Sequence, residues 1–476
     1  MRGPRAAGGW ALASLALSML LSSLGTSIAN VALPTLAQAF DASFHEVQWI
    51  VLAYLLASTT LIVSVGRLGD MVGRRRLLLG GLLVFAIASV LCGVAQSLGM
   101  LIAARAVQGL GAAVMMALAM ALVGETVPRA RTGSAMGLLG TMSAIGTALG
   151  PSLGGLLIDG LGWPAIFLIN VPCSLLALGL AYRYLPVDRR VPDRERARFD
   201  SVGTVLLALT LAAYALAVTI GGRGGFGLRN VALLVAAGCG IGGFVVVEAR
   251  TPSPLVRWAM LRTAGLRASL GTSALVSTVM MATLVVGPFY LSRGLGLARV
   301  SVGLVLSVGP LVAALTSVPA GRVADRWGTR PITIAGLIGM ATGCFTLSAI
   351  PAALGVPGYI AAIAVTTIGY ALFQTANNTA VMAQIDPAQR GVISGLLQLS
   401  RNLGLITGAS VMGAVFAAAA ETIDVASARP DAVIAGMRAT FAVAALLVAS
   451  ALVIVAGSAW LRRARRFVVL RSAASR

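Results

Sequence analysis

The chain has 476 residues, of which 58% are hydrophobic and 11% charged, with a formal charge of +21 and a mean hydropathy of +0.93. Soluble domains carry roughly 25% charged residues, so most of this chain has no place in water and a membrane is its solvent. The basic residues, all of them arginine, sit mostly in short gaps between apolar runs, which follows the positive-inside rule and argues against the continuous basic surface of a nucleic-acid binder.

Apolar runs of about 20 residues predict fourteen membrane helices, near 10–38, 46–65, 76–96, 100–124, 134–158, 163–185, 201–220, 230–248, 268–290, 300–320, 331–350, 358–381, 392–417 and 438–461. The start, Arg2 and Arg5 followed by an apolar run from Trp10, has the outline of a signal peptide. The run continues through Asn30-Val31-Ala32-Leu33-Pro34 without a small-residue cleavage site, so it reads as a first span. With the N-terminus inside, 28 arginines fall on the inner side and six (Arg223, Arg229, Arg293, Arg299, Arg429 and Arg438) on the outer side, which places both termini in the cytoplasm.

The Pro-, Arg- and Asp-rich segment 185–201 reads as a linker, and 250–267 as an amphipathic cytoplasmic stretch. The expected organisation is a six-helix half over 1–186, a linker with an inserted helix pair over 187–264, and a second six-helix half with a basic tail over 265–476. The chain is thus all-α and integral to the membrane, with helices grouped 6+2+6.

The halves repeat. Gly66-Arg67-Leu68-Gly69-Asp70-Met71-Val72-Gly73-Arg74-Arg75-Arg76 returns as Gly321-Arg322-Val323-Ala324-Asp325-Arg326-Trp327-Gly328-Thr329-Arg330. A shift of 258 carries Gly133, Gly137, Gly146, Gly150 and Gly155 onto Gly391, Gly395, Gly404, Gly408 and Gly413. Both copies cross in the same sense, as in a parallel repeat about an axis along the membrane normal, where substrates bind between the halves near the midplane.

Few residues suit catalysis. Cys92, Cys173, Cys239 and Cys344 lie far apart without metal or CxxC spacing, and His45 is the single histidine. No GxxxxGK[ST] loop is present, so the chain does not itself hydrolyse ATP. No cofactor, no metal and no enzymatic activity are expected.

The joint carries the first resemblance. Gly66, Leu68, Asp70, Gly73, Arg74 and Arg75 spell the G-x-L-x-D-x-x-G-R-[R/K] loop of the major facilitator superfamily, where it latches the halves together when the outer side is open. Glycines let helix ends approach closely, and an aspartate at one helix end suits the positive start of another. The resemblance implies that Asp70 meets the thirteenth helix near Gly391, that Asp325 (with Gly321 and Gly328) meets the fifth near Thr132, and that Arg74 pairs with Glu125.

Arg105-Ala106-Val107-Gln108-Gly109-Leu110-Gly111 is similar to the family's R-x-x-Q-G-x-G motif, associated with proton transfer. Arg105 lies about 7 Å inside the outer edge, so it serves proton coupling or gating, or else snorkels to the surface. Gly146, Gly150, Pro151, Gly154 and Gly155 match G-x-x-x-G-P-x-x-G-G, the mark of drug antiporters. Three glycines on one face permit close helix contact, and Pro151 removes a donor and bends the helix. Val47–Tyr54, Ile166–Pro172 and Ile28–Pro34 extend the resemblance to the fourteen-helix drug:proton antiporters, bacterial inner-membrane proteins that export amphipathic drugs or antibiotics.

One departure stands out. The family's first-helix aspartate is Gly25 here, and no acidic residue falls near a helix centre. The buried carboxylate that a cation exporter offers its substrate is therefore missing from the first helix, and Asp70, Glu125 and Asp159 remain, with Arg105, as candidates for proton coupling. Arg401, by contrast, lies about 14 Å into the thirteenth helix, where a charge is costly. It either faces the cavity and favours neutral or anionic amphiphiles, or is satisfied by packing between helices. Asn30, Gln108, Gln374, Asn377, Asn378 and Gln398 are candidate cavity residues, with Met115, Met116, Met120, Met280 and Met281 as adaptable apolar surface. Expected partners are a small amphipathic substrate, protons and membrane lipids, with no nucleic acid and a monomeric chain. A lipid or lipid-like metabolite translocator of the same fold is the second reading.

Overall fold

The computed structural model describes residues 4–42, 44–188, 200–220, 227–251, 263–351, 354–386, 389–420 and 429–474. Its regular structure is helical throughout the described residues, because a backbone in hydrocarbon satisfies its polar groups within each segment. The helices are α1 (Pro4–Ala39), α2 (Phe44–Thr60), α3 (Ile62–Val72), α4 (Arg74–Gly93), α5 (Leu98–Thr126), α6 (Thr132–Leu161), α7 (Ala165–Leu168) and α8 (Asn170–Tyr184). They continue with α9 (Ser201–Ile220), α10 (Leu228–Arg250), α11 (Ala264–Phe289), α12 (Arg299–Trp327), α13 (Thr329–Ala349), α14 (Gly355–Gln384), α15 (Arg390–Ala419) and α16 (Pro430–Ala474).

Among the described residues, twelve helical segments are long and apolar enough to cross a membrane, and two bent pairs raise the number to 14. The first pair, Trp49–Thr60 with Ile62–Val72, bends by 48°. Thr60 at the bend turns its hydroxyl back to the Leu56 carbonyl at 2.8 Å, a local bond that competes with the helix ladder. The second, Arg129–Gly150 with Ser152–Leu161, bends by 44° on either side of residue 151. A proline there has no N–H to give; the Pro151 side chain itself lies outside the described residues. The last helix runs from Pro430 to Ala474, well past the expected 438–461, since Arg, Ala and Leu keep favouring helix beyond the apolar stretch. The linker residues 189–199, the central part of the 250–267 stretch, Arg223 and the side chains of the basic tail lie outside the described residues.

The helices form two compact units. One comprises Met1–Val256, Pro310–Thr329 and Asn378–Leu399. Its core gathers Leu24, Ile28, Ile50, Cys92, Leu101 and Phe167. The other comprises Arg257–Gly309, Arg330–Asn377 and Ser400–Arg476. Its core gathers Val276, Tyr290, Met340, Phe373, Phe416 and Phe441. The same packing motif occurs in each. In the first, α1 lies along α6, with Ser27 Oγ donating to the Gly146 carbonyl at 3.0 Å. In the second, Thr278 Oγ1 of α11 donates to the Gly404 carbonyl of α15 at 3.0 Å.

Candidate functional site

The joint between α3 and α4 is built in the first unit. Gly73 turns the chain there with φ of +114°, in the left-handed region that favours glycine. One turn earlier, the fully buried side chain of Asp70 reaches the start of α15. Its Oδ1 accepts from the Gly391 N–H at 3.0 Å and its Oδ2 from the Val392 N–H at 3.1 Å. A carboxylate against two free N–H groups at a helix start satisfies both hydrogen bonding and the macrodipole. The approach needs glycine: a Cβ on Gly66 would stand 2.6 Å from the Gly391 carbonyl carbon.

Arg74, the first residue of α4, braces this contact. Its Nε and Nη2 donate to Asp70 Oδ1 at 2.9 and 2.7 Å, and its Nη1 donates to Glu125 near the C-terminal end of α5. One buried guanidinium is thus shared by the buried Asp70 carboxylate and the more exposed Glu125, which offsets the cost of taking Arg74 and Asp70 out of water. Arg390 is buried nearby, its guanidinium so close to Gly124 that a Cβ there would lie 2.6 Å from Cζ. Along the chain nothing singles it out beyond its expected inside position.

The second copy lies in the same unit. Asp325 Oδ1 accepts from the Gly133 N–H at 2.7 Å, and Oδ2 accepts from the Ser134 N–H at 2.8 Å and the Ser134 hydroxyl at 2.7 Å. Gly321 and Gly133 make the same close approach as Gly66 and Gly391, and Gly328 has φ of +86°. The two copies differ in their support: a guanidinium holds Asp70, a hydroxyl holds Asp325, and Arg326 and Arg330 are exposed.

Arg105 is fully buried and does not rise to the membrane surface. Its Nε donates to the Ile50 carbonyl at 3.1 Å, Nη2 to the Gly25 carbonyl at 3.0 Å and Nη1 to Gln108 Oε1 at 2.5 Å. Gln108 Nε2 passes the chain on to Ser89 Oγ at 2.7 Å. The Tyr54 ring lies 4.2 Å from the guanidinium carbon, and that of Phe167 5.8 Å. No carboxylate pairs with Arg105 among the described residues; carbonyl dipoles and aromatic faces hold the charge instead. Gly25, where relatives are expected to carry an aspartate, presents its carbonyl to this cation.

In α6, a Cβ on Gly146 would meet the Leu20 carbonyl, and one on Gly150 the Ser27 hydroxyl. Gly154 is buried, whereas a Cβ on Gly155 would meet nothing within 4 Å. The candidate cavity residues divide between the units. In the first, Met115, Gln108 and Gln398 are buried and Asn30 is exposed, its Nδ2 donating to the Thr26 carbonyl at 3.3 Å. In the second, Asn377 Nδ2 donates to the Ser269 carbonyl at 3.4 Å, while Gln374 Oε1 and Arg401 Nε are buried atoms without a hydrogen-bond partner among the described residues. Asp159 is exposed at the end of α6.

The sequence matches the Major Facilitator Superfamily over residues 15–409, and again over 268–472. The chain belongs to the major facilitator superfamily. It is a multi-pass membrane transporter, as are the relatives it resembles. Riboflavin transporter RibZ of Clostridioides difficile (strain 630) is 28% identical over 85% of this chain and 87% of its own. Multidrug resistance protein Stp of Mycobacterium tuberculosis (strain CDC 1551 / Oshkosh) is 31% identical over 86% of this chain and 75% of its own. The solved structure of the proton:xylose symporter XylE bound to 6-bromo-6-deoxy-D-glucose superposes with a TM-score of 0.64 at 17% identity, covering 93% of this chain and 95% of that one. In this major facilitator the two aspartate contacts fall on the starts of α15 and α6. The Ser134 hydroxyl is an addition that only the fold brings to the second of them.

Proposed function

We propose that this transporter is a secondary-active exporter of amphipathic drugs or antibiotics across the bacterial inner membrane, coupled to proton entry and working by alternating access. The observation that carries this reading is the pair of aspartate-to-helix-start contacts, Asp70 on Gly391 and Val392 and Asp325 on Gly133 and Ser134. Such contacts release without breaking a covalent bond and re-form identically, which is what a protein exchanging two states requires. Gly66, Gly73, Gly321 and Gly328 give the joints their close approach and tight turns. Arg74 and Glu125 hold Asp70 in place, and both termini and both joints face the cytoplasm. The similarity to Stp and the glycine-proline motif of α6 support drug export.

The proton passes in this reading through the acids nearest the moving joint, Asp70 and Glu125, with Arg105 as a gate, and Asp159 offers an outer entry point. Substrates are neutral or anionic amphiphiles, since Gly25 leaves the Arg105 cluster without a carboxylate and Arg401 adds a positive charge in the second unit. Met115 and Gln108, with Gln374, Asn377, Gln398, Arg401 and Asn30, are the residues assigned to substrate. A second reading, translocation of a lipid or lipid-like metabolite, is favoured by the same lack of a carboxylate.

The test is transport in proteoliposomes under an imposed pH gradient, with an uncharged and a cationic drug side by side. Accumulation of the uncharged drug that follows the gradient is expected. Transport that ignores the gradient removes antiport, and competition by labelled lipid favours the second reading.

A further inference from the structure

The linker after α8 begins as part of the joint. Asp188, four residues beyond the end of α8, lies against the start of α4, where its Oδ1 accepts from the Arg75 N–H at 3.0 Å and its Oδ2 from the Arg76 N–H at 3.1 Å. These are the free donors of a helix whose first residue is Arg74, the group that holds Asp70 and Glu125. The fit is tight. A Cβ on Gly73 would stand 2.6 Å from the Asp188 carboxyl carbon, so the glycine that turns the joint also admits this carboxylate. The contact is reinforced from α8, where the Tyr182 carbonyl accepts from Arg75 Nη2 at 2.5 Å and the Tyr182 ring lies 5.4 Å from the Arg75 guanidinium carbon. Three consecutive arginines at a helix N-terminus repel both one another and the macrodipole, and Asp188 is the anion that compensates them. At the far end of the linker, α9 packs beside α2, the helix that leads into α3 and Asp70.

We propose that Asp188 is a positioning residue of the transport cycle: by capping α4 it fixes Arg74, and through Arg74 the contact of Asp70 with α15, tying the inserted helix pair to the latch. The helix pair is then attached to the latch at both ends of the linker, by the carboxylate at α4 and by packing at α2. This deepens the efflux reading only in its transport arm, because the contact itself is measurable without transport.

The experiment is site-resolved amide hydrogen exchange on the full chain in detergent, comparing the unchanged protein with Asp188→Asn, Asp188→Glu and Asp70→Asn. Asp188→Asn keeps the shape and removes the charge. Exchange at least tenfold faster is expected at Arg75 and Arg76 and, in addition, at Gly391 and Val392, with Asp188→Glu restoring protection at the latter pair. Faster exchange confined to Arg75 and Arg76 overturns the proposal, since Asp188 would then be a helix cap and nothing more. Thermal melting adds a second measurement: Asp188→Asn combined with Asp70→Asn is expected to fall short of additive, whereas its combination with Asp325→Asn is additive. Full additivity in both overturns the coupling. In proteoliposomes Asp188→Asn is expected to lower the maximal rate about tenfold with little change in half-saturation. If the unchanged protein moves no drug, the efflux reading fails, and exchange at Gly391 and Val392 still decides the role of Asp188.

Discussion

Gly66→Ala probes the joint with a single methyl group. The added carbon would lie 2.6 Å from the Gly391 carbonyl carbon and 3.1 Å from the Val392 nitrogen, both backbone atoms that no rotamer change can move. Ordinary contacts are about 3.5–4 Å, so the start of α15 has to retreat by roughly 1 Å. The Asp70 bonds of 3.0 and 3.1 Å then stretch to about 4 Å and are lost. A hydrogen bond to a charged group contributes about 1.5–3 kcal/mol, so the latched form loses about 3–6 kcal/mol, and the lower figure is already a roughly hundredfold shift in its population. The assay pairs thermal melting in detergent with transport in proteoliposomes. Gly80→Ala serves as the control, because a Cβ there meets nothing within 4 Å. Gly66→Ala is expected to melt lower and to transport at about a hundredth of the normal rate, and adding Asp70→Asn to it changes little more. Normal transport and unchanged melting in Gly66→Ala would refute the latch.

Four further outcomes follow from the same contacts. Ser134→Ala removes one of three donors to Asp325 and is expected to cost about 1 kcal/mol in melting, against a larger loss in Asp325→Asn, whose amide nitrogen has to face one of the two main-chain N–H donors. Arg105→Lys fails to substitute for arginine: an ammonium cannot reach Ile50, Gly25 and Gln108 together, and expression yield and melting both fall, by about 2–4 kcal/mol in stability. Gly25→Asp places an acid beside Arg105, with its Cβ 3.3 Å from the Tyr54 hydroxyl and 3.4 Å from the Phe85 ring; it is expected to fold and to admit a cationic dye that the unchanged protein refuses in a fluorescence efflux assay. Gly150→Ala collides with Ser27 and lowers the melting temperature, while Gly155→Ala leaves it unchanged.

Much of the site is readable along the chain because its signal is local. Asp70 and Asp325 each sit four residues after a glycine and three before another, and that spacing recurs at a constant offset in both halves. The glycines of α6 are legible for the same reason, four residues apart on one face. Asp188 and Arg390 are not legible. Asp188 stands in a polar run like any linker acid, and Arg390 looks like one more inside arginine; what distinguishes them is the partner across the fold, 113 residues away for Asp188 and Arg75. The environment of Arg105 is hidden in the same way. Its partners Gly25 and Ile50 contribute main-chain carbonyls, which every residue possesses and no sequence advertises.

Membrane insertion, the all-helical architecture and the doubled design follow from the sequence alone, since hydropathy and charge along the chain are one-dimensional and the bilayer acts on them directly. The bonds from Arg74 to Asp70, the Ser134 hydroxyl that takes their place at Asp325 and the attachment of the linker at Asp188 were decided only by tertiary structure. Each depends on which helix start meets which carboxylate, and that is set by close approach between glycines distant in the chain.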